Sequence, residues 1–202
     1  MKERPIIFSA DMVNAILAGN KTQTRRVVKP QRHPYGEMLT PDEVAAEFIG
    51  NTCAIRCKYG KIGDKLWVRE NCRAIELESG EDVVQYMSDM AIRSIEHTQD
   101  AADKWIDLHN YANDYGRIAP SIHMPRWASR ILIEITDIRV ERLKDISEVE
   151  AKAEGTAWEA CGSSQEGNHK AGFASLWESI NGAGSWNINP FVWVISFKRV
   201  EK

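Results

Sequence analysis

The chain has no apolar run approaching the ~20 residues that a membrane-spanning helix needs. Its first residues, Met1-Lys2-Glu3-Arg4-Pro5, run straight into a strand-like segment and lack the apolar stretch of a secretion signal. Cysteine is scarce: Cys53, Cys57, Cys72 and Cys161 include no Cys-x-x-Cys pair, and no His-x3-His partner follows Cys53 and Cys57. That spacing argues against a zinc site and a disulfide framework, so reduced structural thiols and a cytoplasmic location are expected, with no metal and no cofactor. In that compartment the Asn20-Lys21-Thr22 sequon carries no glycan. A large charge excess is missing too. The net charge is -3, which argues against a general DNA-coating protein but leaves room for a small basic cleft. There is no internal repeat and no low-complexity segment.

What remains is ordinary for a globular protein: 202 residues, 43% hydrophobic and 27% charged. A chain of this size buries roughly 70% of its unfolded surface and folds without a staple. Residues 1–202 read as a single domain. Ile6-Ile7-Phe8 is a buried strand. Ser9 or Asp11 caps a helix whose face is Met12, Val13, Ile16 and Leu17, and Gly19 supplies its left-handed C-terminal position. Thr22 to Val28 reads as a strand and Pro30 to Thr40 as a loop. Thr40-Pro41-Asp42-Glu43 is a capping box opening a helix over 41–49. Leu66 to Glu70 is a strand. Residues 74–115 change character: acidic, weakly periodic, with one helix near 100–113, they read as a helical or irregular insertion. The loop from Ala119 to Trp127 is apolar enough to pack over something. Arg130 to Leu143 is the longest strand signal, with Ile131, Ile133 and Ile135 on one face. Ser147-Glu148-Val149-Glu150 opens a helix ending at Gly155, a further helix covers 170–180, and Phe191 to Val200 is a terminal strand. This pattern predicts a mixed α+β domain on a small closed sheet, formed by 1–30, 60–72 and 128–200 with 74–115 outside it.

One local absence stands out. From Lys21 to Gly36 there is no acidic residue, while Lys21, Arg25, Arg26, Lys29 and Arg32 are basic. Gly19, Lys21, Thr24 and Arg26 do not make a nucleotide P-loop, because Asn20 precedes the lysine and Asn14 stands where the first glycine belongs. Two readings stay open: a solvated basic strand, or the floor of a positive cleft for a polar or anionic ligand.

The Gly-x-Lys-x-x-Thr-x-Arg segment resembles the signature of the ASCH family, relatives of the PUA domain. Gly63-Asp64-x-Leu66-x-Val68-Arg69-Glu70 is similar to the family's second strand motif. The strand at 130–143, followed by Asp145-Ile146-Ser147 and Ala151-x-x-Glu154-Gly155, and the closing Val192 to Phe197 also match. The chain also resembles the larger ASCH proteins encoded by phages and prophages. The resemblance implies a PUA-like small β-barrel with flanking helices, and a cleft for RNA or a modified nucleoside. Its best-understood members are amidohydrolases that remove the acetyl group of N4-acetylcytidine with a lysine, a threonine and a glutamate. Carried over, these fall on Lys21, Thr24 and Glu154.

Amide hydrolysis suits those residue types. A lysine acting as base or nucleophile must be neutral, so its pKa must fall from about 10.4 to nearer 7–8. Burial and the neighbouring arginines push that way, and Glu154 pushes back unless it takes the lysine's proton. Thr24 then holds the developing oxyanion. A cleft lysine adds little to core packing, so its removal is expected to spare the fold. Arg26, Glu70, His123 and Trp127 are further candidates for substrate contact. Each has a plain alternative: Arg26 pairing with Glu70, Glu70 in an ordinary ion pair, His123 packed in its loop, Trp127 in a core. The leading expectation is an N-acylcytosine amidohydrolase. A non-catalytic RNA-binding module and a ribonuclease using the same cleft are the alternatives.

Overall fold

A computed structural model describes residues 2–50, 55–156 and 169–200 of the chain. Its main sheet has five strands in the order β1 (Glu3–Ile7), β5 (Lys65–Arg69), β9 (Leu132–Arg142), β10 (Phe191–Val200) and β2 (Gln23–Val27). β1 and β5 are parallel; β5, β9, β10 and β2 pair antiparallel. The long β9–β10 pairing carries a bulge at Ser196/Phe197. A bulge bends and twists the strand it interrupts, which curls the sheet.

The alternation along β10 shows why its sequence reads as continuously apolar. Trp193, Ile195 and Phe197 face one core with Ile131, Ile133 and Ile135, while Val192 and Val194 face another. The first core is covered by α1 (Ala10–Leu17) and α2 (Pro41–Ile49), whose Val13, Ile16, Val44 and Ala45 are buried. Ser9 caps α1, and Thr40 and Glu43 form the expected capping box of α2. The second face is covered by α4 (Glu148–Ala153) and α5 (His169–Asn181) through Ala151, Phe173 and Trp177. Asp64 ties the sheet's N-terminal edge down. Its carboxyl is pulled to about 2, first by the Lys2 backbone N–H and then by Arg4.

Two expectations need correction. The described strands do not close into a barrel, since no ladder joins the edge strands β1 and β2. A side chain spans the gap instead: Arg26 Nη2 donates to the Ile7 carbonyl at 2.6 Å. The 74–115 region is also more ordered than its weak periodicity implies. It stays out of the main sheet but forms a three-stranded antiparallel one, β6 (Cys72–Glu76), β7 (Asp82–Tyr86) and β8 (Ile92–Ser94), backed by α3 (Gln99–His109). Short strands joined by tight turns give little period-two signal. The Pro30 to Thr40 loop likewise holds a two-residue hairpin, β3 (Gln31–Arg32) with β4 (Met38–Leu39), and α6 (Ser185–Ile188) precedes β10.

The second sheet has its own core of Ala74, Val84, Tyr86, Trp105 and Leu108. Ala119, Met124 and Ala128 from the apolar loop complete it. Cys57 and Cys72 are buried, their thiols pushed to about 11 and about 12 by burial; Cys53 and Cys161 lie outside the described residues. No described helix is long and apolar enough to cross a membrane.

Candidate functional site

The site begins where α1 ends. Gly19 takes a positive φ of 77°, as its place after the helix requires, and the chain turns so that the Asn20 and Lys21 N–H groups both reach the Ala15 carbonyl. From the other side comes α4, opened by a capping box between Ser147 and Glu150 and closed by Glu154. Glu154 and Lys21 then meet as an isolated antiparallel bridge. The residues 133 positions apart in sequence become backbone neighbours, and their side chains follow.

Gly155 permits this approach. Its φ is +79°, and a Cβ there would lie 2.8 Å from the Ala15 Cβ and 2.9 Å from the Lys21 Cβ. Both faults act together, an unfavourable backbone region and a clash against half-buried Ala15 and buried Lys21. Gly155→Ala should therefore lower stability by about 2 kcal/mol, read from the urea midpoint, against tenths for an ordinary surface substitution.

Lys21 Nζ donates to the Glu154 carboxylate Oε2 and to the Glu154 carbonyl, each at 2.8 Å. Both side chains are out of solvent, at 0% and 2% exposure. Burial is the largest influence on Lys21 and lowers its pKa. Glu154 raises it, and Arg26 and Arg25 lower it further, leaving it below 10.5. The other carboxylate oxygen, Oε1, accepts from Arg25 Nη1 at 3.2 Å. Arg25 is fully buried and extends the network. It reaches Gln23 Oε1 at 2.8 Å, Glu141 Oε1 at 2.5 Å and Glu150 Oε2 at 3.4 Å, while Arg139 bridges Glu141 and Glu150. Lys21, Arg25 and Arg139 thus balance Glu141, Glu150 and Glu154.

This overturns the expectation of one positive cleft along 21–32. Lys21 and Arg25 turn inward onto carboxylates, and Lys29 and Arg32 are exposed. Arg26 is half-buried, bonded to Ile7 and 5.3 Å from the Phe8 ring centroid.

A cavity of about 60 Å³ opens beside the pair. Thr24, Arg25, Arg26 and Glu154 form its polar side. α5 contributes Phe173, Leu176, Trp177, Ile180 and the polar Asn181, and Met12 and Val27 complete the lining. Lys21 stands behind Glu154 rather than in the wall. A wider groove of about 910 Å³ runs past Ala15, Gly19, Thr22 and Gly155, but neither Lys21, Thr24 nor Glu154 lines it. Of the two, the smaller space is the one that Thr24 and Glu154 line.

The other candidates lie elsewhere. Glu70 is buried and held by Arg130 at 2.9 and 3.0 Å and by Ser88 at 2.5 Å, so its partner is Arg130 and not Arg26. His123 is exposed on a single helical turn, its ring beside Tyr111. Trp127 packs against the second core, and its carbonyl accepts from Arg93. None of these three borders the cavity. Among the described residues no cluster of His, Cys, Asp or Glu is placed to hold a metal ion. The residues that sequence reasoning undervalued are Arg25, Glu141 and Trp177. The Gln23/Arg25 alternation was the available signal for an inward-facing arginine; nothing local marks Glu141.

No protein-family model and no curated protein matches the chain. Among solved structures it is similar to the crystal structure of an ASCH domain from Lactobacillus crispatus JV V101, at 12% identity and a TM-score of 0.35, over 98% of this chain and 79% of that one.

Proposed function

We propose that this protein hydrolyses an N-acyl amide on a cytosine nucleoside or a related base, with Lys21 and Glu154 as its proton-transferring pair. The observation that carries the reading is the buried 2.8 Å contact between them, placed against a cavity that Thr24 and Glu154 share. A desolvated lysine whose pKa is lowered by burial releases its proton more readily than a solvent-facing one, the direction a base requires. The resemblance of the Lys21, Thr24 and Glu154 motifs to those of N4-acetylcytidine amidohydrolases points the same way.

The reaction closes with the groups present. A water at Glu154 gives a proton to the Glu154–Lys21 pair, and the hydroxide adds to the acyl carbon. The Thr24 hydroxyl donates to the oxyanion, with the Arg26 charge beside it. The tetrahedral species collapses, the C–N bond breaks, and the exocyclic nitrogen receives the proton from the pair. The acyl group leaves as a carboxylate and its own proton goes to solvent. Arg25 touches no reacting atom; it holds Glu154 by Oε1 and so fixes which oxygen faces Lys21.

The test is incubation of the purified protein with N4-acetylcytidine and, separately, with short RNAs, followed by mass analysis. Cytidine and acetate are the expected products. Unchanged nucleoside together with bound RNA identifies a binding module, and shortened RNA a ribonuclease. RNA binding of that kind would weaken steeply as salt rises, because phosphate contacts release counterions.

A further inference from the structure

We infer that Glu141 is a positioning residue for the Lys21–Glu154 pair: by anchoring Arg25 it keeps that guanidinium from closing fully on the Glu154 carboxylate. This rests on the amidohydrolase reading above and adds to it the residue that sets the balance within the pair.

Arg25 stands among three carboxylates, Glu141 from β9 and Glu150 and Glu154 from α4 and its C-terminal cap. Its side chain is fully buried. The contacts are unequal. Nη2 lies 2.5 Å from Glu141 Oε1 and 3.4 Å from Glu150 Oε2. Nη1 lies 2.8 Å from Gln23 Oε1 and 3.2 Å from Glu154 Oε1. Gln23 is fixed in turn, its Nε2 donating to Ser196 Oγ at 3.1 Å. Charge-assisted N–H···O contacts run to about 2.7–2.9 Å, so Glu141 grips Arg25 closely and Glu154 holds it loosely.

That inequality bears on Lys21. The charges facing its amine are Glu154 at the end of α4 and Arg25 and Arg26 from β2, with the Phe8 ring 5.7 Å away. Glu154 favours the ammonium and the arginines oppose it. Glu141 bonds Arg25 and Arg139, and reaches the lysine through Arg25. Without the Glu141 charge, Arg25 closes on Glu154 Oε1 and cancels more of the carboxylate that steadies the ammonium. Arg139 works in the opposite sense. It bonds Glu141 at 3.0 Å and also Glu150, and so weakens the pull of both on Arg25. Its other partner is the exposed Asp137.

Removing the two residues should therefore shift Lys21 in opposite directions. In the full chain carrying ¹³C at lysine Cε, Lys21→Arg identifies the Lys21 resonance by its loss. Glu141→Gln should lower the pH midpoint of that resonance by about half a unit or more, and Arg139→Gln should raise it by a similar amount. Glu141→Asp keeps the charge and should return the midpoint toward that of the wild type. A role confined to stability would lower the urea midpoint of each variant and leave the titration where it was. Arg139 is partly solvent-facing, so its variant decides the matter even where Glu141→Gln fails to fold. An unmoved midpoint in Arg139→Gln, or midpoints that move the same way in both variants, overturns the inference. The pH of half-maximal N4-acetylcytidine hydrolysis should follow the same two signs. The two readings fail separately. Opposed titration shifts without hydrolysis keep the positioning role and remove the amidohydrolase. Hydrolysis with unmoved titrations keeps the enzyme and removes the positioning role.

Discussion

Lys21→Met should cost about 3 kcal/mol of stability, a larger effect than removing a solvent-facing lysine can produce. From the sequence alone, this lysine is a cleft residue whose loss spares the fold. The structure reverses that expectation, because its side chain is wholly buried and its partner nearly so. Taking away the ammonium leaves a buried carboxylate whose Oε2 has lost its donor, and stranding one member of a buried pair costs about 3–5 kcal/mol. The lower end applies because Arg25 still donates to Oε1. Glu154→Leu strands the other partner, but Lys21 can shed its proton and so limit the damage. Removing both in Lys21→Met/Glu154→Leu removes the mismatch itself. The double variant should thus be more stable than the sum of the singles implies, by about 1–3 kcal/mol of coupling in urea denaturation. Costs that simply add to within about 0.5 kcal/mol would show that the contact carries no energy of its own.

Much of the scaffold around this pair was legible because local chemistry dictates it. The capping boxes at Thr40 and Ser147 set helix starts that tertiary packing did not have to override. Ile131, Ile133 and Ile135 declare a strand face by alternation, and β10 declares a strand buried on both sides by having no polar alternate until Ser196. The second sheet was not legible. Its strands are three to five residues long, and half of their apolar partners come from α3 and the 119–128 loop, so the periodicity belongs to the assembled unit and not to any one segment.

The site divides along the same line. Lys21, Thr24 and Glu154 can be picked out as motif residues, but their environment cannot. That Glu154 ends α4 as a cap, bridges Lys21 by backbone, and shares its carboxylate with Arg25 depends on Gly155 letting two chain segments touch. Glu70 shows the reverse. Its position at a strand end suggested a shared cleft, yet Arg130, 60 residues away, takes the carboxylate, and no local pattern announces that partner.

Lys21→Arg should abolish amide hydrolysis, a loss of at least about 10³-fold if the pair supplies the proton transfer. Guanidinium keeps its proton at any pH the fold survives, so it cannot act as base however well it fits. It can keep the charge, and in the burial of this site it can still bond Glu154. A module that only binds RNA would then retain most of its affinity, which separates the two readings with one substitution. The pH profile supplies the second half of the test. The pKa of Lys21 in the folded protein is lowered from 10.5, chiefly by burial. Between the lowered value and 10.5 the unfolded chain binds more protons than the folded one, so this group makes stability rise with pH across that window. Below the lowered value the folded protein carries the full cost of a buried ammonium. The neutral amine grows across the same titration, so the hydrolysis rate should climb with pH and level off below 10.5. Wild-type rates that fall as pH rises through this range would remove Lys21 as the base, and hydrolysis by Lys21→Arg at the wild-type rate would do the same while leaving the amidohydrolase reading in place.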